Sequence, residues 1–346
     1  MSRLSDAALY LGERLPWPDS LTRAVIASRV SDTGQKLLEA GRMSDSEFAD
    51  AMAGYPIAEH ADAANEQHYE LPAAFFEQVL GPQRKYSCCY YETPEASLAE
   101  AEESALRETA HHADLADGQT ILELGCGWGS LTLWMARHYP NAKILAVSNS
   151  ASQRAFIAGE AQREGLANLE VRTADMNVFE TDQRFDRVVS IEMFEHMANW
   201  RALLAKARDW LRPDGRLFIH VFTHKSAPYR FEVGDTSDWI AQHFFTGGIM
   251  PSHKLIASFP DLFELEADWR WDGEHYAQTA RDWLKNYDAN RQAIAEILKP
   301  VYGGQAKLWE RRWRLFFLAT EGLFGHRSGA WGVSHYRLAP SGQTRG

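Results

Sequence analysis

The sequence predicts an α/β fold in which a doubly wound, mostly parallel sheet carries helices on both faces. From residue 120 onward, short apolar runs alternate with helical segments, which is the pattern of successive βαβ units. The first of these runs stops at three alternating glycines, Gly125-Cys-Gly-Trp-Gly129, and a helical segment follows. Such a Gly-rich turn is typical of a strand that leads directly into the N-terminus of a helix, where backbone N–H groups face a ligand.

The chain before this sheet is predicted to be a helical extension. Asp19-Ser20 could cap a helix that runs to Val30, and Ser44-Asp-Ser-Glu47 has the pattern of a capping box. Thr93 is predicted as the N-cap of a helix that begins with Pro94 and ends near residue 112. We therefore divide the chain into a helical cap, residues 1–85, and a second domain, residues 86–346.

Strands and helices then alternate in the second domain. Strands are predicted at 120–124, 143–148, 169–172, 185–191, 216–222 and 332–338, and helices at 130–138, 151–164, 199–211, 278–298 and 304–323. The alternation of strands and helices stops at residues 223–300. The aromatic and His content of this segment predicts an insertion that covers the active site.

Composition narrows the class of function. The chain has 346 residues and a net charge of −11, with no basic run, which disfavours nucleic acid and strong binding to anionic membranes. It has no apolar run long enough to span a bilayer and no secretory signal, so we expect a cytoplasmic protein without stable membrane insertion. The three cysteines form no C-x-x-C pair, and we expect neither a disulfide nor a metal site.

The Gly-rich turn indicates a cofactor site. Gly125 and Gly127 allow positive φ and close approach of a ligand, while Gly129 allows close packing of helix on strand. The spacing G-x-G-x-G differs from the dinucleotide pattern G-x-G-x-x-G, and the acidic Glu123 stands two positions before the first glycine. This combination favours S-adenosylmethionine (SAM) as the ligand.

A second cluster of titratable side chains follows the strand at 185–191. Glu192, Glu195 and His196 could be a general base with an orienting carboxylate, or carboxylates that hold a cationic amine. They could equally be a solvated helix N-terminus, where Glu favours the helix dipole. His220 and Tyr276 are each open to a core role or a catalytic one.

Aromatic and thiol groups have the same double interpretation. Trp239 and the stretch Phe244-Phe245-Thr-Gly-Gly248 could be core residues, or part of an aromatic box for a sulfonium or an ammonium group. Cys88 could be a nucleophile, although a small buried packing role is the default for such a residue.

Taken together, these segments resemble the cyclopropane-fatty-acid-synthase-like family of SAM-dependent methyltransferases. The resemblance covers roughly residues 60–340 and rests on Tyr86-Ser-Cys88, Leu122-Glu-Leu-Gly-Cys-Gly-Trp-Gly129, Phe185-Asp-Arg-Val-Val-Ser-Ile-Glu-Met-Phe-Glu-His196 and Phe244-Phe-Thr-Gly-Gly-Ile-Met-Pro-Ser252. Within the family, the chain is most similar to the branch that methylates the nitrogen of benzylisoquinoline alkaloids. The resemblance implies a Rossmann-like, seven-stranded, mostly parallel sheet and SAM as cofactor.

The resemblance also implies which residues bind the cofactor. They are Tyr86, Ser87, Glu123, Gly125, Gly127, Gly129, Ser148, Asn149, Gln153, Asp175, Met176, Asn177 and Ile191. The second strand ends in Ala146-Val-Ser-Asn149 without the carboxylate that usually binds the ribose hydroxyls, so we expect Gln153 to take that role.

Two activities remain open at this point. In the fatty-acid enzymes of the family a bound bicarbonate acts as the base, and its ligands correspond here to Cys88, Glu195, His220 and Tyr276, with Phe222 in place of the usual Ile. A cyclopropane-fatty-acyl-phospholipid synthase, which would use bicarbonate, is therefore the alternative hypothesis. A SAM-binding protein without catalytic activity is a third.

Our leading hypothesis is an N-methyltransferase that acts on a small, aromatic or tetrahydroisoquinoline-like amine. Glu195 and His196 would receive the proton of the amine, and Glu192 would steer the ammonium group. The substrate side of the pocket would be lined by His220, Tyr276, Cys88, Phe222, Trp239 and Phe244. A homodimer is possible.

Overall fold

The computed structural model describes Glu13 and residues 17–38, 42–59, 71–231 and 239–342. Among the residues of the predicted cap, 1–12, 14–16, 39–41 and 60–70 lie outside this description. No helix in the described ranges is both long and apolar enough to cross a bilayer.

A seven-stranded sheet forms the centre of the molecule, which confirms the predicted fold class. Its strands are β1 (Thr120–Leu124), β2 (Lys143–Ser148), β3 (Leu169–Thr173), β4 (Phe185–Ile191), β5 (Leu211–His224), β8 (Phe263–Asp272) and β9 (Trp331–Pro340). Their order is β3-β2-β1-β4-β5-β9-β8, with β1 to β5 parallel and the last two antiparallel. The short strands β6 (Tyr229–Arg230) and β7 (Ile249–Met250) pair separately. The order reverses between β1 and β4, so the carboxyl ends of these two strands border the crevice where ligands of such sheets bind.

The helices lie before, between and after the strands. They are α1 (Asp19–Lys36), α2 (Asp45–Met52), α3 (Ala73–Val79), α4 (Leu98–His112), α5 (Ser130–His138), α6 (Ala151–Glu164), α7 (Trp200–Trp210), α8 (Trp239–His243), α9 (Gly273–Ala289), α10 (Arg291–Tyr302) and α11 (Ala306–Phe324). Helix α9 packs against α11, and α11 packs against α1. The N-terminal helices therefore contribute to the same hydrophobic clusters as the sheet domain, and the boundary at residue 85 stays a prediction.

Three elements differ from the prediction. The seventh strand, β8, lies inside the segment that was predicted to be an insertion, where it forms the edge of the sheet beside β9. The predicted helix 278–298 is two helices, α9 and α10, because the chain leaves helical geometry at Asn290. The helix expected to start at Thr93 starts at Leu98, with Ser97 as its N-cap.

Candidate active site

The Gly-rich turn after β1 forms the floor of a large pocket. Gly125, Gly127 and Gly129 all have positive φ, at +75°, +51° and +82°. A Cβ on Gly125 would lie 2.8 Å from Met193, and one on Gly129 would lie 2.7 Å from Ile157, so both positions require close packing. Nothing lies within 4 Å of the corresponding point on Gly127, which faces open space in the pocket.

Glu123 lies beneath this turn as a buried carboxyl group. It is 2% exposed, it lines the pocket, and Thr132 Oγ1 donates a hydrogen bond of 2.5 Å to its Oε2. Burial raises the pKa of Glu123 to about 8. A hydroxyl-bearing ligand would supply the donors that a buried carboxylate needs.

The neighbouring strand ends supply further predicted cofactor residues. Ser148, Asn149 and Gln153 line the pocket at the end of β2, and Ser148 Oγ donates to Gln153 Oε1 at 2.7 Å. This bond fixes the amide of Gln153 beside the cavity, as its predicted role requires.

Of the three predicted residues in the turn after β3, two line the pocket and one does not. Asp175 and Met176 line the pocket. Asn177 does not reach the lining, because its side chain donates to Ala58 O at 2.9 Å and accepts from Ala58 N at 3.1 Å. It therefore ties the turn to the N-terminal segment, and Ala58 takes a place on the pocket wall.

Tyr86, Ser87 and Ile191 also line the pocket, together with Lys85, which the sequence did not single out. Lys85 is 2% exposed, and its ammonium group donates to Ser87 Oγ and to Cys88 O, both at 2.6 Å. The buried cation thus fixes the backbone that carries two predicted cofactor residues.

Glu192 is the centre of a buried hydrogen-bond network at the end of β4. Its Oε1 accepts from Cys88 N at 2.9 Å and lies 3.1 Å from His220 Nε2, while its Oε2 accepts from Tyr276 Oη at 2.6 Å. Glu192 has φ +45°, a left-handed conformation that is strained for a non-glycine residue. This geometry is not helical, and a 3-10 turn begins only at Phe194, so Glu192 and Glu195 do not share a helix face.

Glu195 presents an unsatisfied carboxyl oxygen to the same pocket. It is 1% exposed, and its Oε2 has no hydrogen-bond partner among the described residues. Burial, and then the negative charge of Glu192, raise the pKa of Glu195 well above its ordinary value. The adjacent His196 lines the pocket with its ring stacked on Phe245, at 5.0 Å between centroids and 6° between planes.

Four predicted substrate residues lie outside the lining. The Cys88 thiol donates to Cys89 O at 3.3 Å, and burial raises the pKa of the thiol well above the ordinary value. A raised pKa disfavours the reactive thiolate, so these surroundings do not suit a nucleophile. Phe222 packs against Phe245, Phe231 and Phe324. Trp239 donates to Glu13 Oε2 at 3.1 Å, and Phe244 stacks on Phe316 at 4.5 Å. These aromatic residues support the pocket wall from behind. His220 also lies behind the wall, with its Nε2 atom 3.1 Å from Glu192 Oε1.

Of the Phe, Tyr and Trp residues on the pocket wall, Tyr86 and Tyr276 were predicted as site residues, and Phe245 belongs to the possible aromatic box. Trp128, Trp283 and Phe316 were not predicted, nor were the thioether side chains of Met193 and Met197. Phe245 is next to Phe244, and nothing in the sequence distinguishes which of the two faces inward. Trp283 and Phe316 belong to α9 and α11, whose placement over the sheet is a tertiary feature.

The chemistry of the cavity wall suits SAM. The empty space at the site is about 1580 Å³, a figure that includes open solvent at its mouth. Three buried donors on its wall, Trp128 Nε1, Ser130 Oγ and Trp283 Nε1, have no partner in the described part of the chain. Unsatisfied donors, carboxyl groups and open backbone at a helix N-terminus fit a polar, amino-acid-bearing nucleoside.

Comparisons with known proteins agree with this geometry. Residues 58–329 match the family model of mycolic acid cyclopropane synthetase. The chain is 36% identical over 289 residues to (S)-coclaurine N-methyltransferase from Thalictrum flavum subsp. glaucum, which covers 81% of this chain and 79% of that protein. It is 28% identical over 232 residues to the cyclopropane-fatty-acyl-phospholipid synthase of Escherichia coli strain K12, covering 66% of this chain and 58% of that protein.

A solved structure extends the similarity to nearly the whole chain. The crystal structure of a coclaurine N-methyltransferase bound to N-methylheliamine and S-adenosylhomocysteine (SAH) superposes with a TM-score of 0.92. The two chains are 32% identical, and the match covers 96% of this chain and 99% of that one.

Proposed function

The chain belongs to the mycolic acid cyclopropane synthetase family, its cofactor is SAM, and we propose that it transfers the methyl group of SAM to the nitrogen of a small, aromatic amine. The observation that carries the proposal is the unsatisfied carboxyl oxygen of Glu195 on the pocket wall. A buried carboxyl oxygen without a donor costs free energy, which an N–H group of a bound amine recovers. Bound SAM supplies an electrophilic methyl group and a positive charge.

Glu195 is placed to receive the proton of the amine. An amine attacks only through a free lone pair, so a proton must leave nitrogen during the reaction. The raised pKa of the Glu195 carboxyl group makes it a better proton acceptor than an exposed carboxylate once it is ionised. Stacking on Phe245 keeps the imidazole of His196 at the same wall, where we propose that it assists.

The network around Glu192 favours the amine over the bicarbonate-dependent lipid reaction. Three positions that the resemblance assigns to bicarbonate, namely Cys88, His220 and Tyr276, direct their hydrogen bonds to the Glu192 carboxylate. The Glu192 side chain thus occupies the hydrogen-bond donors that would otherwise hold a bicarbonate ion. The negative charge of Glu192 would also repel bicarbonate. The same charge attracts an ammonium group.

The aromatic wall supports a flat, cationic substrate. Phe245, Trp283, Phe316 and Tyr276 line the same pocket as the two carboxyl groups, and Tyr276 donates to Glu192. Aromatic faces attract cations and stack on aromatic rings, each by about 0.5–2 kcal/mol. The similar proteins named for coclaurine act on an amine of this kind, and we propose a related acceptor here.

The proposal is tested with labelled SAM and a panel of phenethylamines and tetrahydroisoquinolines. We expect methyl transfer to the nitrogen of at least one of them, and a decrease in kcat of about 10²–10⁴-fold in Glu195→Gln, because Gln cannot accept the proton. The affinity for SAH, measured by calorimetry, should stay within about twofold of wild type. Glu170→Gln, at an exposed carboxylate on β3, is the control and should leave both unchanged.

The pH profile gives a second check. Glu195 must be ionised to accept a proton, so the rate should fall as the pH decreases through its raised pKa. Glu192→Gln removes the neighbouring negative charge, which lowers the pKa of Glu195 and moves the acidic limb to lower pH. An acidic limb that does not move, or methylene transfer to phospholipid alkenes with no transfer to any amine, would contradict the proposal.

A further inference from the structure

Three buried histidines form a hydrogen-bonded line from Glu192 to the protein surface. His220 on β5 and His335 on β9 are paired across the sheet, and His335 Nε2 lies 2.8 Å from His220 Nδ1. His335 Nδ1 lies 2.8 Å from Nδ1 of His112, in the last turn of α4. The two strand residues are 0% exposed and His112 is 5% exposed. Neither His335 nor His112 touches the pocket, so the proposed chemistry does not yet use them.

Burial favours the neutral form of all three imidazoles, and each N···N contact between them needs one nitrogen without a proton. Burial lowers the pKa of His220 and of His335 well below the ordinary value, and that of His112 to about 4. The charge of Lys85 lowers the pKa of the first two rings further, and His111 and Arg337 lower that of the third. Each ring therefore carries one proton, on one of its two nitrogens.

Neutral rings in a line must all point the same way. An N···N hydrogen bond needs one donor and one acceptor, so a ring that donates on one side accepts on the other. Only two arrangements satisfy both bonds: all protons directed toward Glu192, or all directed outward toward Glu108, which lies beside His112. The tautomer of His220 is thus coupled to that of His112, two rings away.

The two ends of the line decide the direction. His220 Nε2 lies 3.1 Å from the carboxylate of Glu192, whose side chain is 9% exposed, so that few waters can act as its donors. His112 Nε2 lies 3.5 Å from Glu108, whose side chain is 32% exposed and can be hydrated. A hydrogen bond to the less exposed Glu192 carboxylate therefore stabilises the line more than a hydrogen bond to the more exposed Glu108 carboxylate. His220 and His335 should therefore be protonated on Nε2, and His112 on Nδ1.

We propose that His335 and His112 are positioning residues that fix the tautomer of His220, so that its Nε2–H is held on the Glu192 carboxylate. The role rests on the proposed N-methyltransferase function, in which ionised Glu192 attracts the ammonium form of the substrate. Loss of the His112 donor leaves His335 Nδ1 without a partner and removes the bond that polarises the other two rings toward Glu192. The bond that Glu192 accepts from His220 is then weakened or lost, and the ionised form that binds the amine becomes less populated.

Two substitutions at His112 separate hydrogen bonding from packing. The His112 ring stacks on Trp269, with 3.9 Å between centroids and 10° between planes. His112→Phe keeps a ring there but has no donor, whereas His112→Asn loses the ring but places an amide N–H near the Nδ1 position. His111→Phe, at the exposed neighbour outside the line, is the matched control.

We expect His112→Phe to raise the KM for the amine about tenfold, the effect of one hydrogen bond to a charged group. SAH affinity should be unchanged, because the line does not touch the cofactor side. His112→Asn and His111→Phe should stay within about twofold of wild type. An Asn variant as impaired as the Phe variant would show that packing, and not the donor, is what matters, and would overturn the proposal.

A spectroscopic experiment tests the line without any turnover. In the full chain with SAH, ¹⁵N-labelled histidine rings report their tautomers through two-bond ¹H–¹⁵N correlations. We expect Nε2–H for His220 and His335 and Nδ1–H for His112, with each signal assigned by a His→Gln variant. His112 protonated on Nε2 would overturn the proposal even if amine methylation is confirmed. The expected tautomers would support it even if no amine is methylated.

Discussion

At the scale of single residues, backbone conformation does as much as side-chain chemistry in this site. Gly127 and Gly118 both have positive φ, at +51° and +83°, and neither has an atom within 4 Å of an added Cβ. They differ in place, because Gly127 faces the pocket and Gly118 lies in the turn before β1. The pair therefore separates the cost of a left-handed backbone from the cost of a blocked ligand site.

We expect Gly127→Ala to lose SAH affinity at least tenfold, because its methyl group occupies space against which the cofactor lies. Gly118→Ala should keep the affinity of wild type. Both variants should lose about 1 kcal/mol of stability, the cost of a left-handed conformation for an L-residue. Calorimetric titration with SAH and urea denaturation measure the two quantities. Equal SAH affinity in the two variants would show that the cofactor does not approach Gly127.

The sequence predicts where Glu192 and Glu195 lie in the fold, but it does not predict which residues form hydrogen bonds with them. Glu192 and Glu195 follow a strand that reads as buried, and such strand ends meet at the ligand crevice. The hydrogen bonds of Glu192 come from Cys88, His220 and Tyr276, which are far apart in the chain and meet only through the sheet and α9. For the same reason the pairing of His220 with His335 depends on the register of β5 and β9, which no local pattern reveals.

At the scale of elements, the first turn of α4 shows how local signals compete. Both Thr93-Pro94 and Ser97-x-x-Glu100 are helix-start patterns. The structure uses the second: Ser97 Oγ accepts from Glu100 N at 3.3 Å, and Glu100 Oε2 accepts from Ser97 N at 2.8 Å. A capping box satisfies donors at both of its residues, whereas Pro94 only avoids losing one, so the box determines where the helix begins.

We expect Ser97→Ala to lower the free energy of unfolding by about 1 kcal/mol, the usual cost of removing an N-cap hydroxyl. Thr93→Ala should change it by less than about 0.5 kcal/mol, because Thr93 is exposed and outside the helix. Chemical denaturation of both variants with the same probe makes the comparison. A larger loss in Thr93→Ala would mean that the helix begins at the earlier signal in solution.

Three inner strands of the sheet were predicted with their correct ends, whereas the edge strand β8 was not predicted. The parallel strands β1, β2 and β4 are short, mostly buried and rich in Val, Ile and Leu, and their predicted ends agree with the structure. In contrast, β8 alternates apolar and charged residues from Phe263 to Asp272, with an irregularity near Leu265, and it lies at the sheet edge. Such alternation is typical of a half-buried strand, so the sequence did contain a signal for β8, although residues 223–300 were predicted to be an insertion.

At the scale of the whole molecule, Arg314 joins distant parts of the chain beside the pocket. Its guanidinium group bonds both oxygens of Asp19 on α1, at 2.6 and 2.9 Å, and both oxygens of Asp288 on α9, at 2.8 Å. The two carboxylates raise the pKa of Arg314. Helix α11 carries both Arg314 and Phe316, so the same ion-pair network helps to hold an aromatic residue on the pocket wall.

We expect Arg314→Gln to lower the free energy of unfolding by about 2 kcal/mol, because two carboxylates lose their shared cation and then repel each other. Arg163→Gln, which breaks a pair at a 65% exposed side chain, should cost less than about 0.5 kcal/mol. The difference between the variants should shrink in about 1 M salt, which screens partly exposed charges. In Arg314→Gln, the KM for the amine should rise while SAH affinity is kept, because Phe316 on α11 is one of the aromatic pocket residues that we assign to the substrate. Unaltered KM with lowered stability would mean that the position of Phe316 is set by its packing alone, and not by the ion pairs that join α1, α9 and α11.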